Sequence, residues 1–176
     1  MDDRVQTKLD FIQKASSAAR DQAALYRRLG IDPAEVGGTP AEALRPAILS
    51  GVKYELQTCI QAMIDVAYHV SAKSFHAAPQ DAYDAFERLV AGGALPRARL
   101  TVYRKMIGFR NLVVHGYETV DTGMVLAYAD RTADFDTFRD EVQRFTRTAA
   151  DDKRPTPEGN GPAGRAPRRP RGPAAH

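Results

Sequence analysis

Cysteine, tryptophan and long apolar runs are nearly or wholly missing from this chain of 176 residues. Cys59 is the only cysteine, which excludes an intrachain disulfide framework and a zinc site built from several cysteines. No apolar run approaches the ~18 residues that a membrane-spanning helix needs. The polar start MDDRVQTKLD is not typical of a secretory signal. We therefore expect a cytoplasmic protein with no membrane partner.

The chain has no net charge outside its last 26 residues. The formal charge of +3 and the pI of about 9.1 would favour a nucleic-acid-binding protein. However, residues 151–176 contain six cations and three anions, so residues 1–150 carry 19 basic and 19 acidic side chains. The net charge is therefore not evidence that the folded part of the chain binds RNA.

The segment 151–176 has six Pro, four Gly and no Val, Ile, Leu, Met, Phe or Tyr. Such a segment cannot bury enough apolar surface to offset the entropy of ordering it. We therefore predict a single helical domain over residues 1–150 and a disordered tail over 151–176. The tail is either a solvated extension without a ligand or a weak electrostatic tether for RNA or another polyanion. The contribution of such a tether to binding would fade with salt.

Helical periodicity dominates residues 1–150, and no segment shows a convincing strand alternation. The pattern predicts an all-α antiparallel bundle of about five helices, because short connections join long amphipathic segments. Gly30 and Gly116 are placed to end the first and fourth helices. Thr39-Pro40-Ala41-Glu42 has the form of a capping box that starts the second. The predicted helices cover about 3–29, 40–72, 80–90, 96–115 and 121–145.

The fourth predicted helix contains an arginine on its apolar side. A helical projection places Arg110 within an arc of apolar side chains that covers about half the circumference of the helix. A guanidinium there needs a partner, because burying an unpaired charge costs several kcal/mol. One interpretation is an internal ion pair with the second helix, which offers Glu55, Asp65 and His69. The other is that Arg110 faces a groove or an interface and meets a substrate phosphate.

His115 follows Arg110 by five residues, which is about 140° around an ideal helix. The two side chains cannot share a target by helix geometry alone. They can converge if the helix ends at Gly116 or if two protomers contribute to one cleft. Asp65 and His69 are spaced to bind a metal, but two ligands do not make a site. We predict that they form a structural pair, and we predict no metal and no cofactor.

The run Arg110-Asn111-Leu112-Val113-Val114-His115-Gly116-Tyr117 resembles the signature of HEPN-superfamily ribonucleases, which is Arg, a polar residue, a short spacer and His. The extended form with His-x-Tyr is similar to the HepT branch, the toxin partners of minimal nucleotidyltransferase antitoxins. The surrounding helices, with Ile64-Asp65-Val66-Ala67 and Phe86-Glu87-Arg88-Leu89, agree with this likeness. It covers about residues 3–148 and leaves the tail unexplained.

The resemblance implies a homodimer with two copies of the motif facing each other across a cleft. It also implies metal-independent RNA cleavage that leaves a 2′,3′-cyclic phosphate, with tRNA or mRNA as the substrate. His115 would act as general base or acid, Arg110 would stabilise charge on the phosphorane, and Asn111 would orient the phosphate or the imidazole. Asp65 and His69 are candidate supporting residues.

Tyr117 has a separate implied role. The matching tyrosine in this branch is the acceptor to which the nucleotidyltransferase antitoxin adds AMP, which would make the pair a type VII toxin–antitoxin system. The alternative is a tyrosine that packs at the end of the bundle. Two other functions stay open for the chain as a whole. The first is a non-catalytic nucleotide- or RNA-binding partner of a nucleotidyltransferase. The second is a dimeric scaffold in which Arg110 is ion-paired.

Overall fold

The fold is a bundle of helices, as the periodicity predicts. The computed structural model describes residues 2–31, 41–116 and 120–151, and within these ranges it contains α-helices, one 3₁₀ turn and no strand. Thr39 and Pro40 of the predicted capping box, Tyr117 and the tail from residue 152 lie outside the described residues. The helices are α1 (Asp3–Ile31), α2 (Ala41–Phe75), α3 (Ala82–Ala91), α4 (Leu100–His115), α5 (Thr122–Ala129) and α6 (Thr132–Asp151).

The predicted fifth helix is two helices, so the prediction of one continuous segment over 121–145 was wrong. The break lies at Asp130 and Arg131, whose backbone N–H groups donate to the carbonyls of Leu126 and Tyr128. Arg27 of α1 donates two hydrogen bonds to the Asp130 carboxylate, at 3.0 and 2.8 Å. A bidentate pair of this kind fixes the direction of the turn as well as its position.

Several other helix ends differ from the prediction: α2 continues to Phe75 and α6 to Asp151, past the predicted ends at 72 and 145. Helix α1 continues through Gly30 to Ile31, so Gly30 does not end it. A 3₁₀ turn at Arg97–Arg99 precedes α4, which begins at Leu100 rather than near Pro96. Asp81 caps α3, since its carboxylate accepts a hydrogen bond from the Asp84 N–H at 2.8 Å.

Helices α1 and α2 run antiparallel and form the long axis of the bundle. Lys8 near the start of α1 contacts Asp65 in the second half of α2. Arg45, near the start of α2, lies over the ring of Tyr26 near the end of α1. Between these points the apolar faces bury the core side chains of both helices, among them Leu9, Ile12, Ala19, Val52, Leu56, Cys59 and Met63. This burial is the main source of the stability of the pair.

Helix α4 is held by two sets of aromatic contacts. Tyr103 lies 5.4 Å from the Phe86 ring of α3 and 5.6 Å from the Phe138 ring of α6. Burial raises the pKa of the Tyr103 hydroxyl to about 12. Further along α4, Phe109 stacks on Tyr128 of α5 with ring centroids 4.2 Å apart. The second half of α4 therefore has a fixed rotation about its own axis.

None of the described helices has both the length and the apolar character needed to cross a membrane.

Candidate functional site

The buried face of α4 decides which motif side chains can reach a ligand. The buried side chains of this helix are those of Tyr103, Met106, Ile107, Phe109 and Val113. This set confirms the predicted apolar arc. Because these side chains face the core, the remaining positions of the last two turns face outward or lie at the edge of the bundle.

Arg110 lies within the angular range of that buried face, and its side chain is half-buried. Its Nε is buried and has no hydrogen-bond partner. Its Nη1 donates to the Asn111 side-chain oxygen at 3.2 Å. Within residues 2–31, 41–116 and 120–151 no carboxylate pairs with this guanidinium, so the internal ion pair considered from the sequence does not form there. A half-buried cation without an anion is suited to receive one from a ligand.

His115 is the last residue of α4, and its side chain is exposed. The Gly116 N–H donates to the Leu112 carbonyl at 2.7 Å, which completes the last turn. Because the helix is unbroken between the two residues, Arg110 and His115 stay about 140° apart. The structure therefore brings Arg110 and Asn111 together, but it does not bring His115 to them within one chain.

Asp65 and His69 do not pair with each other in the described residues, so that prediction was wrong; each bonds to a residue at the start of α1 or just before it. The Asp65 carboxylate accepts hydrogen bonds from Lys8 Nζ at 2.6 Å and from Gln61 Nε2 at 2.9 Å. His69 Nε2 lies 2.8 Å from the Asp2 carboxylate, which also binds Lys73. Both α2 residues line a cavity of about 450 Å³ between α1 and α2.

The electrostatics of this α1–α2 cluster are those of a set of ion pairs. The Lys73 ammonium and the His69 imidazole hold the pKa of the Asp2 carboxyl well below its ordinary value. Among the described residues there is also no group of three side chains placed to hold a metal ion. We therefore assign Asp65 and His69 a role in joining α1 to α2.

One surface feature near the motif was missed by the sequence reasoning. Tyr54 of α2 is 63% exposed, although it is a large aromatic side chain. It lines a cavity of about 310 Å³ that also touches Val113 of α4. The signal that would have found it is an aromatic residue that lies off the apolar face of the second helix.

Comparison with known proteins places these observations in a family. The family described as ribonuclease HepT-like matches residues 36–145, a range that contains the whole Arg110–Tyr117 motif. The mRNA nuclease HepT of Shewanella oneidensis is 29% identical over 89 residues, which cover 50% of this chain and 67% of that protein.

Solved structures share the fold. A tri-AMPylated Shewanella oneidensis HEPN toxin in complex with an MNT antitoxin aligns with a TM-score of 0.68 at 22% identity, covering 82% of this chain and 99% of that one. A toxin–antitoxin complex with AMP-PNP aligns with a TM-score of 0.65 at 22% identity, covering 81% and 99%.

Proposed function

Since the chain belongs to the HepT-like ribonuclease family, we propose that it is the toxin endoribonuclease of a type VII toxin–antitoxin pair. The observation that carries this proposal is the state of Arg110. Its guanidinium is half-buried, keeps its Nε unbonded and has no carboxylate partner in the described part of the chain. A phosphodiester would supply the missing anion, and the planar fork of arginine suits its geometry.

The proposed reaction is an in-line transfer that needs no metal ion. The ribose 2′-oxygen forms a bond to the adjacent phosphorus, and the bond from phosphorus to the 5′-oxygen breaks. The products are a 2′,3′-cyclic phosphate and a 5′-hydroxyl. His115 takes the proton of the 2′-hydroxyl or gives a proton to the leaving 5′-oxygen, and water carries the other of these two proton transfers. Arg110 stabilises the charge that develops on the phosphorane, and Asn111 holds the guanidinium in position.

A complete site requires two chains in this proposal. Arg110 and His115 lie about 140° apart on one unbroken helix, so one copy cannot aim both at the same phosphate. A two-fold axis near α4 would let the Arg110 of one protomer act with the His115 of its partner. Leu112, which is 48% exposed between the two residues in sequence, is an apolar side chain that such a contact would cover.

The proposed regulation is AMP transfer to Tyr117 by a cognate nucleotidyltransferase antitoxin. Tyr117 follows the exposed end of α4, two residues after His115. Phosphate groups attached there would bring negative charge beside Arg110 and His115 and would repel the RNA backbone. Support comes from the similar toxin described above, which is AMPylated and bound to an MNT antitoxin.

The test of the reaction is cleavage of RNA by the purified full chain in the presence of EDTA. We expect products with 2′,3′-cyclic phosphate ends, detected by their resistance to a phosphatase that removes only terminal monophosphates. A requirement for a divalent cation would contradict the mechanism. Stable RNA or nucleotide binding without turnover, and no growth arrest on expression, would favour the non-catalytic binding partner instead.

The test of the regulation is incubation of the chain with ATP and a cognate nucleotidyltransferase. We expect a mass increase corresponding to AMP on the peptide that contains Tyr117, together with loss of cleavage. The Tyr117→Phe variant should still cleave RNA and should keep its activity after the same treatment. Modification at another residue with equal inhibition would contradict the assignment of Tyr117.

A further inference from the structure

The exposed ring of Tyr54 belongs to a small concave surface beside the motif. We call it the Tyr54 cavity; its volume is about 310 Å³, and it is lined by Ser50, Lys53, Tyr54, Gln57, Val113 and Val120. Four of these residues lie on α2, and the other two lie on either side of the end of α4. The volume falls at the lower end of the range of ~300–1,000 Å³ that is typical of small-ligand sites.

The Ser50 hydroxyl of the cavity donates to the Pro46 carbonyl at 2.9 Å, whereas the other polar side chains of the lining are not used by the rest of the described chain. Lys53 makes no ion pair and Gln57 makes no side-chain hydrogen bond within those residues. The Tyr54 side chain makes no hydrogen bond to the described residues; only its backbone carbonyl accepts a side-chain hydrogen bond, from the Thr58 hydroxyl at 3.0 Å. Its ring stacks on no other described aromatic side chain. An ammonium, an amide and an aromatic face are therefore all available to a ligand.

The cavity lies against the helix that carries the motif. Val113, which forms part of its wall, lies between Arg110 and His115 in α4. Val120 forms another part of the wall, three residues after Tyr117. The cavity therefore places groups of α2 beside the helix that carries Arg110.

We propose that the Tyr54 cavity binds one nucleotide of the single-stranded RNA substrate, next to the scissile phosphate. The base stacks on the Tyr54 ring, the Lys53 ammonium meets a backbone phosphate, and the Gln57 amide reaches the edge of the base. Proteins bind single-stranded RNA through this combination of an aromatic platform, a cation and a few hydrogen-bonding groups. This inference deepens the proposed ribonuclease function and rests on it.

The chemistry of the cavity favours a nucleotide over a second copy of the chain. The cores of protein interfaces are depleted in lysine and are more apolar than the surface around them. Here a lysine without a counter-ion and a glutamine amide lie beside the exposed ring. A bound phosphate neutralises Lys53, whereas an apolar protein surface would bury its charge at a cost.

The test measures RNA binding separately from cleavage. The His115→Ala chain provides a background in which RNA stays intact, and the probe is a short fluorescein-labelled single-stranded RNA of mixed sequence followed by anisotropy. In that background Tyr54→Leu removes the ring and should weaken binding about tenfold, within the ~1–3 kcal/mol that base stacking contributes. Tyr54→Phe keeps the ring and should bind as the background does.

Lys53 is tested with a second matched pair. Lys53→Gln should weaken binding and reduce the dependence of log Kd on log salt by roughly one unit of slope, because one phosphate contact is lost. Lys53→Arg should keep that slope. Phe11→Leu is the control, since Phe11 is an exposed aromatic side chain on α1, 42% exposed, that does not line the cavity.

Three results would overturn the inference. The first is equal RNA affinity for Tyr54→Leu and its background. The second is a change in the sedimentation mass of Tyr54→Leu, which would identify the cavity as a contact between copies. The third is an unchanged KM for Tyr54→Leu in the chain with His115 intact. The inference predicts that this variant raises KM about tenfold and leaves the ends of the products unchanged. If the unmodified chain cleaves no RNA, the proposed function fails, and the anisotropy result still decides whether the cavity binds RNA.

Discussion

The α1–α2 cluster and the end of α4 both hold charged side chains at the edge of the apolar core, and they differ in how those charges are matched. In the α1–α2 cluster Asp65 is bonded to Lys8, and His69 and Lys73 meet Asp2. At the end of α4, Arg110 has a buried Nε without a hydrogen-bond partner. The only hydrogen bond that its side chain makes in the described residues goes to the neutral Asn111 side chain.

The difference separates a structural pair from a candidate site. Matched charges join two helices and need nothing else. An unmatched, half-buried cation costs free energy in the free protein, and a chain keeps such a cost at positions where a ligand or a partner chain removes it. Both regions contain a histidine four or five residues after an ionisable residue in the sequence. Residue types and spacing alone therefore do not distinguish the two regions.

The largest expected effect comes from exchanging the two histidines for alanine. His115→Ala should lower the rate of RNA cleavage by at least about 100-fold, since general acid–base groups contribute ~10²–10⁴. His69→Ala should leave cleavage by the folded protein within about twofold, because its partner is Asp2, the residue before α1. The measurement is single-turnover cleavage of one labelled RNA. Equal losses in both variants would remove the distinction between the two regions.

Arg110→Gln should have the next largest effect. Loss of a group that stabilises transition-state charge typically lowers kcat by about 10²–10³. The free energy of unfolding should not fall, since Arg110 forms no ion pair in the described residues and its Nε has no partner to lose.

Arg139→Gln is the matched control for that prediction. Arg139 donates from Nε to the Leu9 carbonyl and from Nη2 to the Gln13 side chain. Its loss should cost about 1–3 kcal/mol of unfolding free energy in urea denaturation, while kcat per folded molecule stays the same. A destabilised Arg110→Gln would indicate that this arginine is a structural residue.

A double-mutant cycle on Lys8 and Asp65 should give a smaller number. Both side chains are more than one-third exposed, at 47% and 38%, so the coupling energy from Lys8→Met and Asp65→Asn should be no more than about 0.5 kcal/mol. None of the three variants should change cleavage. A coupling between Asp65 and Arg110 in the same denaturation assay would instead revive the internal ion pair.

The smallest effect concerns acid stability. Lys73 and His69 lower the pKa of Asp2 in the folded state. The stability that the ionised Asp2 carboxylate gives to the fold is therefore complete above the ordinary carboxyl pKa of about 3.9, and it is lost as the pH falls below that value. The midpoint of thermal unfolding should therefore fall less between pH 5 and pH 3 for Asp2→Asn than for the unmodified chain. An identical fall in the two proteins would contradict this sign.

Much of the bundle could be predicted from local patterns, because helix faces repeat over short distances. The apolar arc of the fourth helix and the cap at Asp81 follow from residues within one or two turns. The break at Asp130 could not be predicted in this way. The residue that holds it, Arg27, is 103 positions away in the sequence, and the apolar residues continue on both sides of the turn.

The candidate site divides in the same way. The spacing of Arg110, Asn111 and His115 is a property of the sequence, and the family match covers it. The open groups around Tyr54 were missed, because an aromatic residue off the apolar face of a helix does not by itself indicate a ligand. Its importance depends on Val113 of α4 and on Val120, two residues before α5, which lie beside α2.

The sequence by itself determined that this chain forms helices, where most of them lie and which residues form the motif, since apolar periodicity and spacing act over a few residues. Only the tertiary structure decided which charges are matched. Lys8 and Asp65 are 57 positions apart, yet their side chains meet at 2.6 Å, whereas Arg110 meets no described carboxylate. Coulomb energy depends on distance in space, and that distance is set by how the helices pack.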